Sequence, residues 1–286
     1  MKMAQKKFVI TTVIITVALM VVGSFFDLAL SDAVYAPSTK FVWFFQAFGE
    51  SMALLSCYAG AGCFLAGLSP QTGFKKLIGF IVTVIFLICG SWGLIEPYHF
   101  LSGNMKYVGM AIEVLLGILL LLYCFKKADR SNPALLLKIG FVMMAVGLLS
   151  TLVVNVIKGP WGRPRYRSII ITKNLEFRPW WVVGTDLRDE FYPRIPHDEF
   201  KSFPSGHSSG AACAFVLVLL SQVIPKLKER PLVIFAVLWT GCTMFSRIMR
   251  GAHFLTDVTV GFAITFFITV LLYFLFIGRK KMEDTE

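Results

Sequence analysis

The sequence predicts an all-α protein, a polytopic transmembrane helical bundle of about eight spans. Three observations carry this. Of 286 residues, 56% are hydrophobic and only 16% charged, with a mean hydropathy of +0.71; a soluble domain carries about a quarter charged residues. Several apolar runs approach the roughly 20 residues that cross a bilayer as helix. The basic residues sit mostly at the ends of those runs or in one long loop, a placement that fits membrane orientation.

Taken in order, Met1 to Lys7 holds Lys2, Lys6 and Lys7, and an apolar run follows from Phe8 to about Ala29. That run exceeds the apolar stretch of a cleaved signal peptide, so a retained first helix is expected. Further spans are expected at 41–68, 77–95, 107–125, 135–157, 206–224, 231–249 and 254–277. Lys75 and Lys76, then Lys126, Lys127 and Arg130, then Lys226, Lys228 and Arg230 fall in alternate connections. The tail Arg279-Lys280-Lys281 matches them in an even-span arrangement. Both termini are therefore expected in the cytoplasm and the loop 158–205 outside, in a multi-pass protein of the cell membrane. Residues 1–134 form N-terminal helices without a motif; 135–286 form the second region, outer loop included.

The net charge of +11 does not point to nucleic acid, because it is spread over helix ends and one loop. Cys57, Cys63, Cys89, Cys124, Cys213 and Cys242 all lie in apolar segments and read as reduced packing residues. No spare His or Cys cluster has metal-ligand spacing, so neither metal nor cofactor is expected. No Asn-x-Ser/Thr acceptor occurs. Trp180, Trp181, Phe191 and Tyr192 beside Arg178, Arg188 and Arg194 suit either a segment at headgroup level or a small folded cap.

Three polar clusters stand out, all on the outer side of this topology: Lys158 to Arg167, Lys201 to Ser208, and Ser246 to Asp257. Pro204-Ser205-Gly206-His207 opens an apolar helix, where unpaired N–H groups and the helix dipole favour an anion. A helix starting near His253 would put Asp257 one turn on, able to hold one ring nitrogen and leave the other to attack. Arg247 offers a planar fork of donors to phosphate oxygens. The blander reading of that cluster is a helix-end ion pair between Arg250 and Asp257, and the residues alone leave both open.

Ser246-Arg247-x5-His253-x3-Asp257 with Pro204-Ser205-Gly206-His207 resembles the type 2 phosphatidic acid phosphatase (PAP2) superfamily. Its members include bacterial lipid phosphatases, glucose-6-phosphatase and vanadium haloperoxidases. The resemblance runs from Lys158 to the C-terminus. It departs from the family in the first motif, Lys-x6-Arg-Pro. Six residues after Lys158 stands Arg165, followed by Tyr166, whereas the Arg-Pro dipeptide, Arg163-Pro164, comes two residues early. Reach to a shared phosphate depends on backbone position, so Arg165 is preferred and Arg163 held in reserve.

The resemblance implies a PAP2/haloperoxidase-like helical catalytic core in the C-terminal half. It implies His253 as nucleophile through a phosphohistidine, Asp257 orienting it, and His207 as proton donor and then base. Lys158, Arg165 and Arg247 would hold phosphate oxygens, with donors from Ser205 and the Gly206 N–H. The implied partners are the bilayer and a lipid phosphate or diphosphate at the outer face: undecaprenyl diphosphate first, then phosphatidylglycerol phosphate or phosphatidic acid. Rival readings are a lipid phosphotransferase with the same site and a non-catalytic transporter or lipid-binding protein. His99 and His197 lack such a constellation. Glu50 and Glu113, costly inside spans, read as packing residues rather than catalytic ones.

Overall fold

Leu, Ile, Val and Phe dominate runs of about twenty residues in which neither Gly nor Pro stops a helix, so backbone hydrogen bonds are satisfied within each run. The computed structural model describes residues 3–91 and 104–278, and all regular structure among them is helical. The helices are α1 (Met3–Val34), α2 (Lys40–Phe48), α3 (Ser51–Leu68), α4 (Gly73–Ser91), α5 (Met105–Lys127), α6 (Pro133–Trp161), α7 (Tyr166–Ile169), α8 (Thr185–Phe191), α9 (Gly206–Ala212), α10 (Glu229–Met249) and α11 (Leu255–Phe276). His99, the end of the third expected span and the basic tail from Arg279 lie outside the described residues.

Among the described residues, seven helical stretches are long and apolar enough to cross a membrane. The sixth of the eight expected spans, 206–224, is a shorter apolar helix, Gly206–Gln222, which passes into 3-10 form at Cys213. A 3-10 helix rises about 2.0 Å per residue against 1.5 Å in an α-helix, so its ten 3-10 residues reach as far as about thirteen α-helical ones.

The chain divides into two units. The first comprises residues 1–46, 151–209 and 241–264. In it α1 exposes most of its apolar side chains but buries Thr16, Gly23, Asp27 and Ser31. The last three are four residues apart and so share one helix face. That stripe meets α11 and the long loop: Asp27 bonds Thr256, Ser24 accepts from the Trp180 indole at 2.9 Å, and Asp32 accepts from the Tyr166 hydroxyl at 2.5 Å. The loop itself is a folded cap. Leu175, Leu187, Phe191, Ile195 and Phe200 bury one another in a small core of their own, as the folded-cap expectation requires. His197 packs its ring against Tyr192 there, 4.2 Å between centroids.

The second unit comprises residues 47–150, 210–240 and 265–286. Its hub is α3, rich in Gly, Ala and Ser, which packs on α4, α5 and the 3-10 segment. Small residues let helix backbones approach closely where lipid gives no hydrophobic drive to associate. A Cβ on Gly140 would sit 2.6 Å from the Gly60 carbonyl oxygen, and one on Gly60 2.7 Å from that of Gly140. Neither position admits a side chain. Glu113 is buried and accepts a hydrogen bond from the Ser51 hydroxyl, while Gly210 lies against Glu50. Of the six cysteines, Cys89 is exposed on the apolar face of α4, against the expectation that all are packed inside.

Candidate active site

The three polar clusters come together within the first unit, around His253. Its imidazole is 2% exposed, and the charges that bear on it are those of Lys158, Arg165, Arg247 and His207. Lys158 stands in the last turn of α6, Arg165 just before α7, Arg247 in the last turn of α10, and His207 in the first turn of α9.

The Nδ1 of His253 lies 2.6 Å from the Ser202 carbonyl oxygen. A carbonyl only accepts, so Nδ1 carries the proton and Nε2 keeps its lone pair. Burial first, then the Lys158, Arg165, Arg247 and His207 side chains around it, hold the ring well below the ordinary histidine range, which favours its neutral form. A buried, neutral imidazole with one tautomer fixed and positive charge around it is a nitrogen nucleophile beside an anion cradle.

Asp257 does not hold the ring, contrary to the sequence expectation. The reason is where the helix begins. α11 starts at Leu255, so His253 precedes it and the one-turn relation does not apply. Asp257 instead accepts from the Phe254 N–H at 2.8 Å, the return half of a capping box, and from the Ser202 hydroxyl at 2.6 Å. It acts on His253 through Ser202, whose carbonyl meets the ring. The Arg250–Asp257 ion pair does not form either; Arg250 turns away to the Pro37 carbonyl at 3.3 Å and over the Trp43 ring.

The partner of Asp257 is Arg163. This arginine is 0% exposed and bonds Asp257 Oδ1, Asp27 Oδ2 (2.9 Å), Thr256 Oγ1 (2.9 Å) and the Arg178 carbonyl (2.8 Å), with its plane 4.3 Å from the Phe254 ring centroid. Arg163 therefore does not suit the reserve phosphate-ligand role: four of its five N–H donors are committed, and it is fully buried. Arg165 lies further out, paired with Asp198 at 2.8 Å, and its charge reaches His253.

Ser205 is buried, and its oxygen accepts from the Ser208 N–H at 3.3 Å and the Ser208 hydroxyl at 3.0 Å, as the N-cap of α9. It was expected as a phosphate donor; only its own hydroxyl hydrogen is left for that. Gly206 opens α9, where first-turn N–H groups have no helical partner. Gln46 faces both Arg247, whose Nη1 is 3.5 Å from its Oε1, and His207, whose Nε2 is 3.4 Å from its carbonyl.

Asp27, Ser202, Thr256 and Gln46 were not found from sequence. For Asp27 a signal existed, a carboxylate inside an otherwise apolar span. For Ser202 none did, since its contact to His253 is made by the main chain.

The sequence model of the PAP2 superfamily matches residues 135–281. Over 96 residues the chain is 33% identical to phosphatidylglycerophosphatase B of Bacillus subtilis, covering 32% of this chain and 45% of that protein. Over 73 residues it is 38% identical to lipid A 1-phosphatase of Rhizobium johnstonii, covering 26% of this chain and 27% of that one. The chain thus matches less than half the length of either relative. No solved structure matches it.

Proposed function

The chain belongs to the PAP2 superfamily, and from that premise we propose that it is an integral-membrane phosphatase acting on a lipid phosphate or diphosphate through a phosphohistidine. The observation that carries the reading is the Ser202 carbonyl on His253 Nδ1, which leaves Nε2 with its lone pair on a ring that the charges of Lys158, Arg165 and Arg247 act on. Nε2 attacks phosphorus, and the bond to the leaving oxygen breaks as His207 gives that oxygen its proton. The phosphorylated ring is cationic, stabilised through Nδ1–H by the Ser202 carbonyl with Asp257 behind it. Neutral His207 then takes a proton from water as the water oxygen attacks phosphorus. The N–P bond breaks, phosphate leaves, and both histidines return to their starting states. Lys158, Arg165, Arg247 and the Gly206 N–H spread the charge of the transition state.

In this reading residues 135–286 carry the chemistry and 1–134 the supporting helices, with Asp27 and Gln46 the residues of the latter that reach the site. The names of both relatives favour a lipid headgroup substrate. A site at the end of several spans suits a tail that stays in the bilayer. Basic connections on the opposite side support a site at the outer face of the cell membrane with both termini cytoplasmic, and undecaprenyl diphosphate is the first substrate to try.

The test is phosphate release by the purified protein from a panel of lipid phosphates, with trapping of a labelled intermediate that is acid-labile and alkali-stable. His253→Ala should lose both. Equal release with and without His253 overturns the mechanism, and no release from any substrate overturns the enzymatic reading. A tag at Asp186 should be reachable from outside intact cells.

A further inference from the structure

Arg167, Arg194 and Arg250 line one cavity of about 490 Å3 with Tyr35, Ser38 and Glu199, a volume usual for small-molecule sites. None of the three arginines is in the cradle around His253, yet the two places share a wall. The Arg167 N–H donates to the Gly251 carbonyl at 3.0 Å, two residues before His253, and the Arg165 N–H donates to the Glu199 carbonyl at 2.8 Å. Gly251, at φ +65°, lets this wall close: a Cβ there would meet the Tyr35 ring at 2.7 Å.

Three guanidiniums face one carboxylate, a surplus of two positive charges. Glu199 is already engaged, accepting from Arg167 at 3.0 and 2.5 Å and from Ser168 at 2.5 Å. Burial opposes its charge, but the Arg167 hydrogen bonds and the charges of Arg165 and Arg167 prevail and hold its pKa at about 2. Arg250 donates one Nη1 bond to Pro37, and its Nε is buried without a hydrogen-bond partner among the described residues. Burial, then the like charge of Arg167, push it below the usual arginine range. A bound oxyanion would relieve that repulsion and satisfy the orphaned donor. Ile171, on the cavity wall and 80% exposed, presents an apolar edge to whatever enters.

We propose that this cavity is a second anion subsite, which takes a further phosphate-class group of the same lipid headgroup whose terminal phosphate enters the His253 cradle. It rests on the reading of that cradle as the reacting-phosphate site. A headgroup with two anionic groups fills both places and a simple monoester fills one, so the subsite selects for the former.

The test compares a prenyl diphosphate with the prenyl monophosphate of the same tail, using the full chain in detergent and the Arg194→Gln, Arg250→Gln and double variants. The double variant should raise KM for the diphosphate about tenfold or more, the scale of one lost charge-assisted hydrogen bond, and leave kcat and the monophosphate KM near wild type. The unchanged monophosphate turnover also shows that the variants fold, and Arg194→Gln alone touches only an exposed side chain. An equal rise for both substrates, or none for either, overturns the proposal. Calorimetric binding of methylenebisphosphonate against methylphosphonate reads the subsite without turnover: loss of the bisphosphonate's advantage in the double variant supports it, and an undiminished advantage overturns it. If no substrate is hydrolysed, the phosphatase reading fails while this binding arm still decides. If orthophosphate binding is lost in the double variant but diphosphate preference survives, the cavity takes free phosphate and the headgroup assignment is overturned.

Discussion

Replacing Asp27 by Ala removes a residue of the first helix from the support of the candidate nucleophile. Asp27 accepts three hydrogen bonds, from Arg163 Nη2 at 2.9 Å, from the Thr256 N–H at 3.0 Å and from the Thr256 hydroxyl. Both side chains of the ion pair are buried, 0% exposed for Arg163 and 3% for Asp27. Breaking a buried pair by deleting one partner costs about 3–5 kcal/mol, because the other charge is left without compensation. Arg163 keeps Asp257, which places the expected loss toward the lower end of that range. The second consequence is positional. Arg163 holds Asp257, Asp257 holds the Ser202 hydroxyl, and the Ser202 carbonyl holds the ring. A displacement passed along that series misplaces Nε2, and an error of about 1 Å in reacting geometry can cost about 100-fold in rate. Unfolding of the purified protein in detergent and steady-state phosphate release are the two assays. Asp27→Ala should lower the unfolding midpoint and reduce kcat about tenfold or more with KM nearly unchanged. A double-mutant cycle with Arg163→Gln should give a coupling of about 3 kcal/mol. An Asp27→Ala protein with wild-type midpoint and wild-type kcat refutes the reasoning, as does a cycle that is additive.

Other outcomes follow from the same geometry. Arg165→Gln should cut kcat/KM by about 100-fold with little change in unfolding, the scale of one lost transition-state donor; Arg163→Gln should instead destabilise the fold, and a reversed pattern would exchange their roles. His253 has its folded pKa below the ordinary 6.5, so the unfolded chain binds the proton first, and stability falls as pH drops from about 6.5 toward the folded value. NMR titration of labelled histidine should find its ring neutral at pH 6.5, and a protonated ring there contradicts the proposed electrostatics. Glu199, held at about 2 against an ordinary 4.5, stabilises above 4.5 and loses that contribution as pH falls toward 2; Glu199→Gln should flatten acid unfolding over that window. Gly140→Leu forces a side chain into a backbone contact and should cost about 1–3 kcal/mol or more in detergent unfolding.

The helices were legible because membrane hydropathy is a strong, local signal: 231–249 was expected and Glu229–Met249 forms, 254–277 was expected and Leu255–Phe276 forms. Gly206–Gln222 has fewer residues than the expected 206–224 but a similar reach, because hydropathy counts residues and cannot tell 3-10 from α rise. That Lys158, Arg165, His207 and Arg247 gather around His253 was legible because the side chains stand at recognisable spacings in the sequence. Asp257 misled because its relation to His253 was argued from helix periodicity, and the helix begins two residues too late for that. Asp27 was missed because its meaning lies in a fold contact with residues more than a hundred positions away. The cap core was hidden by irregular spacing among Leu175, Leu187, Phe191, Ile195 and Phe200.

The hydrogen bond from His253 to the Ser202 carbonyl bears on how this protein will look to genetics. Every amino acid carries that oxygen, so no substitution at position 202 deletes it, and alanine there removes only the hydroxyl that Asp257 uses. A saturation scan will score Arg163, Asp257 and Asp27, none of which touches the ring, more severely than the residue that does. Phenotype and contact will therefore be offset, and a map of the site drawn from variant effects alone would centre on the support behind the histidine rather than on the bond that sets its tautomer.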